Sequence, residues 1–252
     1  MKTGDSRYIF LLTITLYVCR HDSAGQTPLP SSRERLQRLT LITPAYRKEA
    51  LKMIIEEANR AAKELQLPEK LPITETTIMA AYISPPRMAR RVPGFGNITT
   101  SNYTYSVTVG NKFSFLERTH LAEEQERLEK LYRWPISRMD TNAAYQMATQ
   151  LLAATSIDVN ALNRDCSVHI DALTPDDKNA PYFVPLYWIY WMKEGAVGSV
   201  AEIELLVPTK TVQQMHVMKS EYILRKPLVI TNVDFLLSQT NAPATTNAPI
   251  KQ

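Results

Sequence analysis

The stretch CSVHIDAL, residues 166–173, brings a thiol, an imidazole and a carboxylate close together. Cys166, His169 and Asp171 are the residue types of a nucleophile, its base and the group that orients the base. On a strand, however, side chains alternate between faces, so Cys166 and His169 point apart. His169 and Asp171 share a face, which leaves a base with an orienting carboxylate, or half of a metal site. The other three histidines are His21, His120 and His216, and none forms an i, i+4 pair or an HExxH arrangement. Two cysteines in the whole chain supply no zinc set. Asp171, Asp176 and Asp177 do not fit the spacing of a calcium loop and read as an acidic turn. The nucleophile elbow GxSxG, a phosphate-binding glycine loop and a dinucleotide fingerprint are all missing. The expectation is therefore a protein without cofactor or metal and without catalysis, with catalytic residues assigned to none. The alternative is a hydrolase whose site is assembled from dispersed carboxylates and histidines.

The second candidate is aromatic. PYFVPLYWIYWM, residues 181–192, holds six rings and two of the three tryptophans. Exposed rings bind a sugar or a partner by stacking, whereas buried rings are core. Tyr187, Trp188 and Trp191 are the binding candidates here. As a strand, PLYWIYWM sends Leu186, Trp188, Tyr190 and Met192 to one side and Tyr187, Ile189 and Trp191 to the other. Neither side carries a charge, so the run reads as a central strand covered by a helix near 140–155. If one face is open, it is expected to be the one with Tyr187 and Trp191. Arg87, Arg90 and Arg91, in the loop RMARRVPGFGN, form a third candidate, a basic cluster for an anionic ligand or partner.

The elements that must position these groups follow from periodicity. Thr43-Pro44 supplies an N-cap and a proline at the first helical position. Leu51, Ile54, Ile55, Ala58, Ala61, Ala62 and Leu65 then recur at helical spacing up to Pro68. A strand is expected in Ile73–Ser84. Tyr103, Tyr105, Val107 and Val109 alternate with polar residues before Gly110-Asn111, with Phe113 and Phe115 beyond, which predicts a hairpin. His120–Arg133 reads as a charged amphipathic helix. Asp140 can cap another, with Ala144, Met147, Ala148, Leu151 and Leu152 inward, and Ser156–Asn163 adds a short helical turn. Strands are expected at 166–173, in the aromatic run, at 199–208, at 211–218 and at 221–230.

The order helix, strand, hairpin thus occurs twice, near 44–116 and 140–207, and both helices begin with Ala-Tyr, at Ala45-Tyr46 and Ala144-Tyr145. The fold class is α+β, an antiparallel sheet or sheets packed by amphipathic helices, with two similar units. The expected division is a signal peptide at 1–25, a leader at 26–42, a first unit at 43–118, a second at 119–238 and a disordered tail at 239–252. The second unit, AYQMATQLLAATSIDVNALN followed by CSVHIDAL, PLYWIYWM and VAEIELLVP, resembles PepSY and other cystatin-like modules over roughly 140–208. The resemblance implies a helix laid across an antiparallel meander, a location outside the cytoplasmic membrane and an association with restraint of peptidases. It carries no site residues. The chain as a whole resembles exported bacterial proteins.

Composition sets the remaining limits. A chain of 252 residues, 44% hydrophobic and 21% charged, can bury a core without staples. Lys2 and Arg7 precede the apolar run YIFLLTITLYVC, followed by Ser23-Ala24-Gly25, which is the pattern of a secretory leader. Cys19 closes that run, where a lipidated cysteine would sit, although Leu16-Tyr17-Val18 lacks the small residue this needs. An exported chain then keeps only Cys166 and forms no internal disulfide. A net charge of +4 gives no reason to expect nucleic acid as a partner. The function expected is an exported, periplasmic or extracellular binding protein for a protein, peptide or envelope component. The alternatives are the hydrolase above and a carbohydrate-binding module using the aromatic run.

Overall fold

A computed structural model describes residues 42–84, 96–120, 123, 126, 127, 130, 141–172 and 186–231. Helix α1 (Pro44–Glu64) starts as its sequence demands, with the Thr43 hydroxyl accepting from the Tyr46 amide at 3.1 Å. Its stripe of Tyr46, Ala50, Ile54, Ala58, Ala61 and Ala62 is buried. Four strands follow: β1 (Ala80–Ile83), β2 (Gly96–Thr99), β3 (Tyr103–Val107) and β4 (Phe113–Arg118). The second unit repeats the plan with its helix broken in two. Helix α2 (Thr141–Ala154) and helix α3 (Val159–Asp165) flank Ser156, whose backbone is left-handed at φ 65°. Asp158 caps α3 through the Ala161 amide at 2.9 Å. Then come β5 (Ser167–Ala172), β6 (Leu186–Met192), β7 (Ala201–Leu206) and β8 (Thr211–Val217).

Among the described residues, all eight strands form one antiparallel sheet in the order β1-β2-β3-β4-β8-β7-β6-β5. Each unit is a four-stranded meander, and the two meet through their last strands. A single register row crosses the whole sheet: Ala81, Ile98, Tyr105, Leu116, Met215, Ile203, Ile189 and Ile170. Every member lies in the hydrophobic core or packs against it. Helix α1 contacts β1, β2 and β3, and α2 contacts β6 and β7, so both lie over this row. The fold is α+β, and the sheet is open rather than a barrel.

The pairing at the junction obeys a two-fold relation. Leu116 faces Met215 at the centre, and Phe115–His216 on one side is matched by Glu117–Gln214 on the other. Exchanging the units turns each of these pairs into another of the set. The relation extends outward, because both inner hairpins carry a bulge at the same place. Ser114 is skipped between Ser106 and Val107, as Gln213 is between Glu204 and Leu205. The duplicated order of elements seen in the sequence is thus duplicated in register.

The two bulge residues differ in how they are satisfied. Both are buried. The Ser114 hydroxyl is hydrogen-bonded to the Thr108 hydroxyl and accepts from the Val109 amide at 3.4 Å. The residue of the second unit that corresponds to Thr108 is Leu206, and the Gln213 side-chain amide has no hydrogen-bond partner at either atom. An unsatisfied buried amide costs on the order of 1–3 kcal/mol. Gln213→Leu is therefore expected to raise the urea midpoint of unfolding by an amount worth about 1 kcal/mol. A variant less stable than the parent would show that the amide is satisfied in solution.

Three sequence expectations change. Only Ala80–Ile83 of the segment 73–84 is strand, after a 3-10 turn at Glu75–Thr77. The segment 221–230 is not a strand: a 3-10 turn, Ser220–Tyr222, leads to one bridge between Ile223 and Ile157. Leu228 then donates from its amide to the Asn111 carbonyl at 2.6 Å, so this segment folds back onto the first hairpin's turn. His120 is in a turn with φ 59° rather than in a helix. Of the helix expected after it, the described residues Glu123, Glu126, Arg127 and Lys130 are helical and exposed.

Candidate functional site

Helices α1 and α2 lie over one face of the sheet, and the candidate residues project from the opposite face. Two register rows cross it. One runs Tyr82, Asn97, Ser106, Phe115, His216, Glu202, Tyr190, His169. The other runs Ala80, Thr99, Thr104, Glu117, Gln214, Glu204, Trp188, Asp171. Alternation along each strand, the same rule that buries the core row, puts these side chains outward. In β7 the rule is legible in the residues themselves: Ala201, Ile203 and Leu205 face the helices, and Glu202 and Glu204 face away.

This geometry reverses the expectation for the aromatic run. Tyr187 and Trp191 lie on the helix-covered side at 2% and 0% exposure, and Trp188 is 42% exposed on the other. The physical reason is register. Antiparallel pairing sets Trp188 beside Glu204 and Tyr190 beside Glu202, and a carboxylate row cannot go under a helix without partners. Trp191 instead donates from its indole N–H to Asn163 Oδ1 at 2.9 Å, and its ring centroid lies 6.4 Å from that of Tyr145. Tyr187 and Trp191 are core residues, and of the three ring candidates only Trp188 belongs to the surface. Arg87, Arg90 and Arg91 lie outside the described residues.

The outward rings of the second unit form a pile. Trp188 and Tyr190 have centroids 4.5 Å apart with planes tilted by 34°, and His169 stacks on Tyr190 at 5.1 Å and 13°. The Tyr190 hydroxyl donates to Asp171 Oδ2 at 3.1 Å, and the Ser167 hydroxyl lies 3.2 Å from His169 Nε2. Partial burial, with the Asp171 hydrogen bond adding to it, pushes the Tyr190 phenol up. The tyrosine therefore stays a donor through the neutral range. His169 and Asp171 do share a face, as their spacing implies, but a tyrosine fills the space between them. Cys166 is not on the strand at all; it caps α3.

Nearer the two-fold, His216 Nδ1 lies 3.9 Å from Glu202 Oε1, and its ring meets Phe115 edge-on at 5.3 Å. Burial pushes the imidazole down, partly opposed by Glu202, so the ring is neutral near pH 7 and the contact is not an ion pair. Glu202 also accepts from the Ser199 hydroxyl at 2.7 Å and the Gln214 amide at 3.4 Å. Glu117, on β4 beyond His216's strand and two strands from Glu202, has its carboxyl raised by burial. Among the described residues no group of three histidine, cysteine or acidic side chains is placed to hold a metal ion. Tyr190, Glu202, Glu204 and His216 were not singled out in the sequence. The signal that finds them is the alternation in AEIEL combined with antiparallel pairing to the aromatic run.

The two units supply the same positions on this face but fill them differently. Where the second unit has His169, Asp171, Trp188, Tyr190, Glu202 and Glu204, the first has Ala80, Tyr82, Asn97, Thr99, Thr104 and Ser106. The fold and this surface together define a class: an open-sheet α+β protein of two helix-backed meanders, with a chemically specialised face on the second. The chain matches no known protein family, no curated protein sequence and no solved structure.

Proposed function

We propose that the chain is an exported, non-catalytic binding protein that holds a protein or peptide partner on the outward sheet face of its second unit. The observation that carries this reading is the contrast just described. At these positions the first unit carries small and uncharged side chains plus one tyrosine, and the rings and carboxylates that stand there in the second unit support a role beyond folding. Export rests on the basic head and apolar run at the N-terminus, and the PepSY-like likeness of the second unit agrees with a role outside the cytoplasm. The sugar-platform reading is weaker, because Trp188, Tyr190 and His169 spend their faces on one another rather than lying side by side. A hydrolase stays second on one observation, the half-buried Glu202–His216 contact with Glu117 nearby.

The test is capture from envelope extract by the tagged chain, compared with Trp188→Ala and with Asn97→Ala on the first unit's face. Loss of the captured partner with Trp188→Ala but not with Asn97→Ala is expected. Equal capture by all three would move the binding surface elsewhere.

A further inference from the structure

We propose that β5 is a dimerisation edge, pairing antiparallel with β5 of a second copy of this chain about a two-fold at Ile170. Dimerisation does not depend on capture of a partner by the outward face. β5 is an outermost strand, and among the described residues it is paired on one side, with β6. The core row shows the consequence. Leu116, Met215, Ile203 and Ile189 are fully buried, whereas Ile170, next in the row, is only partly buried, as are Val168 and Ala172 on the same side. Natural sheets blunt an exposed edge with a short strand, a bulge, a proline or a lysine. β5 has six residues in unbroken register with β6, and SVHIDA contains no proline, glycine, lysine or arginine. The opposite edge, β1, is four residues long, and Pro85-Pro86 follows it closely in the sequence.

The side chains of β5 select both the partner and the register. Outward residues must meet outward residues, so two copies of the strand can centre on His169, Ile170 or Asp171. Centring on Asp171 sets two carboxylates face to face, and centring on His169 sets two imidazoles face to face. Centring on Ile170 sets His169 of each copy opposite Asp171 of the other, twice, on the outward face. Ile170 then meets its own copy in the core row, and Val168 meets Ala172. Directly opposed residues stand about 4.5–5.5 Å apart at Cβ, within reach of an imidazole N–H donating to a carboxylate. Both groups are exposed and are already oriented by their own unit. Asp171 accepts from Tyr190 on Oδ2, and His169 stacks on the Tyr190 ring with Nε2 beside the Ser167 hydroxyl. Among the described residues Asp171 Oδ1 and His169 Nδ1 have no hydrogen-bond partner, and these atoms serve the second copy. The seam inside the chain is the precedent. There β4 and β8 join two meanders antiparallel about a two-fold, with an apolar pair at the centre and Phe115–His216 and Glu117–Gln214 on either side. The dimer joins the ring-bearing faces of two second units into one surface.

Sedimentation velocity of the full chain over a roughly hundredfold range of concentration is expected to show a monomer giving way to a dimer. His169→Asp leaves two carboxylates on the edge, and Asp171→Lys leaves an imidazole and an ammonium. Each is expected to weaken association at least tenfold, because like groups then face each other across the two-fold. An equimolar mixture of the two variants restores opposite pairs and is expected to associate to within a few-fold of the parent. Asn97→Ala is expected to change nothing, and circular dichroism melts confirm that each variant is folded. Without any variant, hydrogen–deuterium exchange of the parent is expected to slow at 167–172 as concentration rises, and not at 80–83. A parent that stays monomeric, with exchange at 167–172 independent of concentration, leaves β5 to some other strand and overturns the proposal. Folded single variants that dimerise as well as the parent, or a mixture that recovers nothing, overturn it equally.

Discussion

Trp191→Ala is expected to destabilise the chain by about 3–5 kcal/mol, whereas Trp188→Ala, three residues earlier on the same strand, is expected to cost less than about 1 kcal/mol. Trp191 is wholly buried between Val168 and Ala201 in its register row and under Tyr145 of α2. Removing it opens a cavity in the middle of the second unit and leaves Asn163 Oδ1 without its indole donor. Trp188 loses only its packing against Tyr190 and whatever water-facing area it covers. Urea melts followed by far-UV circular dichroism avoid the change in indole signal. Equal losses for the two variants would mean that both faces of β6 are covered in solution, and the outward face described above would then not be a surface.

The second large effect is at Gly96, where β2 passes under α1. A β-carbon there would stand 2.5 Å from the Tyr82 carbonyl oxygen and 3.0 Å from Ile54 Cδ1. The first contact is with backbone that belongs to the β1–β2 ladder, so it cannot move aside like a side-chain end. The position matched to Gly96 in the second unit is Tyr187, where the meander accommodates a ring on the same side. Gly96→Ala is expected to cost roughly 1–3 kcal/mol by overpacking, which lowers the melting temperature by several degrees in a domain of this size. Gly195→Ala is the comparison. Nothing lies within 4 Å of its added β-carbon, and only its φ of 75° opposes the change, a cost of about 1 kcal/mol. A Gly96 variant as stable as the Gly195 variant would show that α1 rides higher on the sheet than described.

The elements were legible where one local rule decided them. Thr43-Pro44 capped α1, the tyrosine–valine alternation gave β3, and Ala144, Ala148 and Leu152 gave the inward stripe of α2. Local rules failed where the outcome depended on a neighbour. LYWIYWM is apolar on both sides, so nothing within it says which side a helix covers; the answer sits in Glu202 and Glu204 of β7, which pair with Tyr190 and Trp188. The segment 221–230 has the composition of a strand, yet it spends its backbone on Asn111 and Ser156 rather than on a ladder. The site was partly legible: Trp188 was named, and His169 and Asp171 were placed on one face. Tyr190, Glu202 and Glu204 escaped because each is ordinary alone and acquires meaning only from strands brought together by pairing.

The two-fold register at the seam has one more consequence. Because Leu116 meets Met215 at its centre, with Phe115 and Glu117 mirrored by Gln214 and His216, the edge of either meander is shaped to receive a strand like itself. What the polypeptide contains is the geometry of a symmetric homodimer written as a single covalent chain. Tethering the halves removes the requirement that both be identical, and their outward rows differ at all eight matched positions.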